Sequence, residues 1–192
     1  MSFDNDAKSC YDRIVINLAL LISQHLGMPS TICEWYSKFL HTINYHIQLP
    51  TLISQQSYNH SDDHPLHGPG QGSRAAPSLW VYISSVVMNC MSRKSNGITF
   101  KSPDNKHQFN HIMTGFVDDT NHWINNFDRA IQGNYSTQEM YWNTQTTAQW
   151  WEQLLYSTGG KLELPNFFFT QYFGNLMAFH HWTIQIIHAI LG

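Results

Sequence analysis

The stretch from Gly115 to Trp123 reads GFVDDTNHW and sets Asp118 beside Asp119 at the end of a short apolar run. Adjacent carboxylates repel each other unless solvent or a cation lies close. Ile112, Met113, Phe116 and Val117 read as a buried approach that would hold the pair in place. The wider segment, HIMTGFVDDTNHWI at 111–124, has the pattern of a β-hairpin with both aspartates at its tip. On these residues alone the tip is either a plain turn or half of a metal site. A hard divalent cation held by oxygen ligands would offset the crowded charge.

Working outward, GITFKSPDNKHQF at 97–109 predicts two further short strands around a Pro-Asp-Asn turn. Before it, Ile14, Leu18, Leu21 and Ile22 recur at helical spacing between Cys10 and Gly27. A second helix is expected from Ser30 or Thr31, with Ile32, Trp35, Tyr36, Phe39, Leu40, Ile43 and Ile47 on one face and Pro50 as its stop. A polar loop from Ser54 to Ser73 leads to an apolar helix, about Pro77 to Met91. After the hairpins, Ser136 with Glu139 forms a capping box. It opens a helix whose Met140, Thr144, Ala148, Trp151 and Leu155 share a face, closed by Gly159-Gly160. KLELPNFFF reads as a strand, and Leu176 to Ile190 as a strand end and a helix. Helices, then hairpins, then helix and strand define an α+β class, with helices on one face of an antiparallel sheet.

Composition narrows the function. The 192 residues suit one domain or a large piece of one, with 42% hydrophobic and 14% aromatic residues. A formal charge of −3 gives no general pull toward nucleic acid, so any such binding must be local. Cys10, Cys33 and Cys90 are too scattered for a zinc site or a disulfide framework. The opening MSFDNDAK has neither the basic nor the apolar region of a signal peptide, and no apolar run is long enough to span a bilayer. The expectation is a soluble intracellular protein, cytoplasmic or nuclear and not secreted.

Two aspartate pairs compete as sites. Asp62-Asp63 sits among His60, His64 and His67 in a loop with nothing apolar before it, which is the setting of a solvated loop. Asp118-Asp119 has a third carboxylate in view. In DAKSCYDRI, Asp6 ends a short predicted strand, and if that strand neighbours the hairpin, Asp6 meets the pair. Carboxylates bracketing two ions are what two-metal phosphoryl transfer requires.

DAKSCYDRI, GPGQGSRAAP, GFVDD and GGKLEL, in that order, resemble the palm of reverse transcriptases, most closely those of non-long-terminal-repeat retrotransposons. The resemblance spans roughly residues 4 to 170, as motif A at 4–14, motif B at 68–77, motif C at 115–119 and motif D at 159–169. It implies a single partial palm domain over 1–192 and a palm-like antiparallel sheet. It implies an RNA-directed DNA polymerase using magnesium, or manganese in its place, with deoxynucleotide triphosphates, an RNA template and a DNA or RNA primer. By residue, Asp6 matches the motif A catalytic ligand, Asp118 the motif C ligand and Asp119 its weaker neighbour. Phe116 matches the aromatic that opens the aromatic-x-Asp-Asp box. Tyr11 matches the steric gate against a ribose 2′-hydroxyl, its other reading being a core tyrosine. Gln71 and Gly72 match the motif B turn at the nucleotide, and Arg74 would reach a phosphate or cap a helix. The related RNA polymerases carry Gly-Asp-Asp where this tip reads Phe-Val-Asp-Asp.

The match has gaps. Asn166 falls where motif D offers a lysine, with Lys161 five residues earlier, and asparagine cannot donate a proton as a general acid. The resemblance implies fingers and a thumb elsewhere in a longer polyprotein, leaving Phe167, Phe168, Phe169, Phe173 and Trp182 partly uncovered. A degenerate remnant without catalysis and a nucleic-acid-binding module that reuses the palm are the competing expectations. The cluster Arg93, Lys94, Lys101 and Lys106 is either a phosphate contact or a solvated hairpin.

Overall fold

The computed structural model describes residues 1–60, 67–70, 72–124, 137–163, 165, 167–173 and 176–178. In chain order its elements are β1 (Ser2–Asp6), α1 (Cys10–Arg13), α2 (Ile16–His25), α3 (Ser30–His41), β2 (Tyr45–Leu49), β3 (Leu52–Tyr58) and α4 (Ala76–Ser92). There follow β4 (Ile98–Lys101), β5 (Gln108–His111), β6 (Met113–Phe116), β7 (Asp119–Trp123), α5 (Thr137–Ser157), β8 (Phe168–Phe173) and β9 (Leu176–Ala178). The fold is mixed α+β with antiparallel sheets, and contact density divides it into two compact units, 1–10 with 84–192, and 11–83.

In the first unit the strands form a five-stranded antiparallel sheet ordered β6-β7-β1-β8-β9. Strand alternation sorts β1 into two faces. Phe3 and Asn5 point to one side and are 0% and 4% exposed. Asp4 and Asp6 point to the other and are half-buried. Helix α5 covers the first face. Its Thr144, Ala148, Trp151 and Leu155 recur at helical spacing and are all buried, as the sequence predicts. Phe3 stacks on His122 at 4.3 Å and on Phe167 at 5.5 Å, while Trp151 meets His122 edge-on at 4.6 Å. Removing a ring as well enclosed as that of Trp151 costs on the order of 3–5 kcal/mol. The helix closes at Gly159, with φ of 90°, where the Gly160 N–H donates to the Leu155 carbonyl at 2.9 Å.

The β4–β5 hairpin belongs to the same unit and pairs Ile98↔His111, Thr99↔Asn110, Phe100↔Phe109 and Lys101↔Gln108. Its turn is self-capped. Ser102 Oγ donates to Asp104 Oδ1 at 2.5 Å, and the Lys106 and His107 N–H groups donate to Asp104 and Ser102.

In the 11–83 unit, α2 and α3 pack together, with the Cys33 thiol 3.7 Å from the Leu20 carbonyl oxygen. The hairpin β2–β3 pairs Tyr45 with Tyr58, their rings stacked at 5.2 Å. Gly68 is held against the end of α1. Its N–H donates to the Ile14 carbonyl at 2.7 Å, and a Cβ there would lie 2.6 Å from the Asp12 Cα. Among the described residues no helix is long and apolar enough to cross a membrane.

Several local expectations are corrected. The first helix is interrupted, since Ile14 and Val15 separate α1 from α2. The second ends at His41 rather than Pro50. Ile47 lies in β2, Pro50 in the turn to β3, and the expected loop from Ser54 begins inside β3. The buried stripe of α3 is Cys33 and Leu40, whereas Ile32, Trp35 and Phe39 are 49%, 65% and 46% exposed. Phe116 and Val117 do not bury the hairpin tip, being 76% and 39% exposed. The strand expected across KLELPNFFF starts only at Phe168, preceded by one bridge between Ala7 and Leu162. Phe167, expected to be uncovered, is buried, while Phe168 is exposed. Ser136, Trp182, Asp62, Asp63 and His64 lie outside the described residues, as do the side chain of Phe173 and the helix expected toward Ile190.

Candidate metal centre

β1 and β7 run antiparallel with Ser2 opposite Trp123, Asp4 opposite Asn121 and Asp6 opposite Asp119. The β6–β7 hairpin ends in a tight turn at Val117 and Asp118, where Val117 adopts φ of 56°. A β-branched residue is strained in that left-handed region, so the turn needs external support. Support comes from the Ala7 N–H, which donates to the Asp118 carbonyl at 2.9 Å. Asp6, Asp118 and Asp119 are thereby gathered at one end of the sheet by backbone pairing alone.

The electrostatics agree with that crowding. The Asp119 carboxyl is held above its ordinary value, first by desolvation and then by the charges of Asp118 and Asp6. An all-carboxylate donor set suits a hard cation such as magnesium. Among the described residues, no three His, Cys, Asp or Glu side chains converge closely enough to hold a metal ion. Binding an ion here would require rotation of the aspartate side chains, two of which stand in or beside an exposed turn.

A cleft of about 450 Å³ opens on the uncovered face of the sheet and is lined by Asp4, Asp6, Asp119, Asn121, Phe116 and Phe168 among others. Asp4 and Asn121 form a row beneath the carboxylates, with the Asn121 amide donating to the Asp4 carboxylate. Asn5 lies under them on the covered face and ties three elements together. It accepts from Thr120 Oγ1 and from Trp151 Nε1, each at 2.9 Å, and its own amide donates to the Thr120 carbonyl at 3.4 Å.

The segment 161–163 also reaches this end of the sheet. The Lys8 N–H donates to the Lys161 carbonyl, and the Glu163 N–H to the Asp6 carbonyl, both at 2.8 Å. The Lys8 ammonium is paired with Glu163 at 2.9 Å, while Lys161 is exposed.

Tyr11, Gly72 and Arg74 belong to the 11–83 unit. Tyr11 is half-buried in α1, Gly72 is exposed with φ of 91°, and Arg74 is exposed in the turn before α4. Gln71 and Asn166 lie outside the described residues. Asp4, Asn5, Asn121 and Phe168 escape the sequence reading. The alternation Phe3-Asp4-Asn5-Asp6, read as a strand with one face on the core, was the signal available for Asn5. No family model matches the chain, and no curated protein matches it.

Proposed function

We propose that the chain is the palm portion of an RNA-directed DNA polymerase, a reverse transcriptase of a retroelement, carrying out nucleotidyl transfer onto a primer 3′-hydroxyl. The observation that carries this reading is the register of Asp6 opposite Asp119, with Asp118 tied to Ala7 in the adjoining turn. The reading also draws on the resemblance of the four sequence motifs.

In this mechanism Asp6 and Asp118 would hold the metal, with Asp119 beside them as the weaker ligand. Magnesium, or manganese in its place, supplies activation of the attacking hydroxyl and neutralisation of the leaving pyrophosphate when bound. The protein contributes position. The β1–β7 ladder fixes the spacing of the carboxylates, and Phe116 and Phe168 wall the cleft that receives the primer terminus. The raised proton affinity of Asp119 reflects desolvation and then crowding by Asp118 and Asp6, and a cation held there would relieve that crowding. Template, primer and deoxynucleotide triphosphates are the proposed partners.

A second reading, a palm without catalysis that binds nucleic acid, is favoured by Asn166, which stands where the resemblance expects the motif D lysine. Primer extension on a primed RNA template with magnesium and deoxynucleotides separates the two. Extension by the chain that is lost in Asp118→Asn supports the polymerase. No extension by either, with oligonucleotide binding retained in both, supports the second reading.

A further inference from the structure

Four of the ten Lys and Arg residues, Arg93, Lys94, Lys101 and Lys106, fall within residues 93–111, against one of the thirteen acids, Asp104. All four cations are exposed. Asp104 is engaged in its own turn, accepting from Ser102 Oγ and from the Lys106 N–H, and its carboxylate lies 3.8 Å from the exposed Lys106 ammonium, so one acid offsets one of the four cations. The segment is therefore a basic island in a chain of net charge −3.

The same hairpin carries aromatic side chains where burial does not explain them. Phe100 and Phe109 oppose each other across β4 and β5 and are 56% and 62% exposed. Alternation along β5 places His111 on the face of Phe109, with ring centroids 6.0 Å apart. His111 in turn lies 6.2 Å from the Trp123 ring. Trp123 sits two register positions beyond Asn121 and four beyond Asp119 on β7, and so on the face of the sheet that bears the carboxylates, where it is half-buried. The rings thus form one row that starts on the face bearing the carboxylates and ends in the basic hairpin.

We propose that the row Trp123, His111, Phe109 and Phe100, flanked by Lys101 and Lys106, is a binding track for single-stranded nucleic acid. It rests on the reading of the chain as a nucleic-acid protein, and it needs no catalysis. Flat rings take bases of any sequence by stacking, and the flanking ammonium groups take the phosphates between them. A protein partner of ordinary composition is not what this surface fits, because its rings stand in a single file among cations and offer little broad apolar area. A single strand fits better than a duplex, whose bases are already stacked and closed to the rings.

The test is fluorescence anisotropy of labelled oligo-dT and oligo-rU twelve-mers with the full chain, in low salt and without divalent metal. Phe109→Ala is expected to weaken binding about tenfold, the loss of one stacked base. Lys101→Gln with Lys106→Gln is expected to lower the slope of log affinity against log salt by roughly 1 to 1.5. Lys38→Gln, in the other unit, is expected to change nothing. Circular dichroism establishes that the variants fold, and the lysine variants carry the test should Phe109→Ala lose its hairpin. The proposal is overturned if the wild-type chain does not bind, if the hairpin variants bind as wild type does, or if an equal-length duplex displaces the single strand at lower concentration. Primer extension without hairpin-dependent binding would overturn the track and leave the polymerase reading standing. Hairpin-dependent binding without extension does the reverse.

Discussion

The indole Nε1 of Trp151 donates to the side-chain oxygen of Asn5 at 2.9 Å, joining helix α5 to the strand that ends in Asp6. The same oxygen accepts from Thr120, the residue after Asp119. One buried amide therefore holds three elements in register directly beneath the carboxylates.

Asn5→Leu would leave the Trp151 N–H and the Thr120 hydroxyl without their acceptor. Each unsatisfied buried donor costs about 1–3 kcal/mol, so a total near 3 kcal/mol is expected. Thermal denaturation checks it, with a fall in Tm on the order of 6–12 °C. A loss below about 1 kcal/mol, within the range of an ordinary surface change, would show that the three bonds are individually dispensable.

His122 is 1% exposed, its ring nitrogens find no hydrogen-bond partner among the described residues, and burial pushes its pKa from 6.5 down to about 3. The folded form holds it neutral while the unfolded form takes up a proton below the ordinary value. Its contribution is therefore complete above about pH 6.5 and is lost as pH falls toward 3. His122→Phe removes that dependence, flattening the loss of stability between about pH 7 and pH 5 by roughly 2 kcal/mol relative to wild type. Urea denaturation at the two pH values measures it, and parallel curves for the two proteins would assign the acid lability elsewhere.

Asp119 has the opposite linkage. Its folded pKa is raised, so the folded state binds the proton more tightly, and stability falls as pH rises through the window just above its ordinary value. Asp119→Asn is expected to raise Tm slightly at neutral pH and to leave it unchanged in acid below that window. Millimolar magnesium should raise the wild-type Tm more than that of the variant. Equal magnesium shifts in both would remove Asp119 from the metal centre.

Glycines near the hairpins separate by what a methyl group would strike. At Gly97, with φ of 59°, a Cβ would lie 2.5 Å from the His111 carbonyl oxygen, which is backbone and cannot yield. At Gly115 the nearest atom, at 2.2 Å, is the terminal methyl of Met88, which can rotate away. Gly97→Ala should cost about 2 kcal/mol or more and Gly115→Ala less than about 1 kcal/mol. Equilibrium unfolding of the two variants gives the comparison directly.

The legible and illegible parts of this fold differ for physical reasons. The β4–β5 hairpin, α4 and α5 are written in strong local signals: a Pro-Asp-Asn turn, a long apolar run, and a period of helical spacing ended by two glycines. The antiparallel pairing that sets Asp6 opposite Asp119 follows from two short strands of compatible pattern. Helix α3 was overextended because Ile43 and Ile47 continue its i, i+4 spacing, while β2 and β3 are exposed on both faces and so show no period-2 burial. Phe116 and Val117 read as buried because they are apolar, yet at the hairpin tip both side chains are exposed. Asn5 is illegible in the sequence because a polar residue between two aspartates has the pattern of a solvated position, and its partners Thr120 and Trp151 lie more than a hundred residues away.

The alternation of β1 also governs which heritable changes the chain can absorb. Substitutions within Ser2–Asp6 alter the contacts of one side chain, but inserting or deleting a single residue there exchanges the two faces. Asp4 and Asp6 would turn toward α5, and Phe3 and Asn5 toward the cleft. The turn at Ser102–His107 has no such parity, because one residue more or less lengthens a loop without inverting a strand. Length variation among descendants of this sequence should therefore collect at that turn and be purged from the five residues before Ala7, and a deep insertion–deletion scan would display the two regions as opposite extremes.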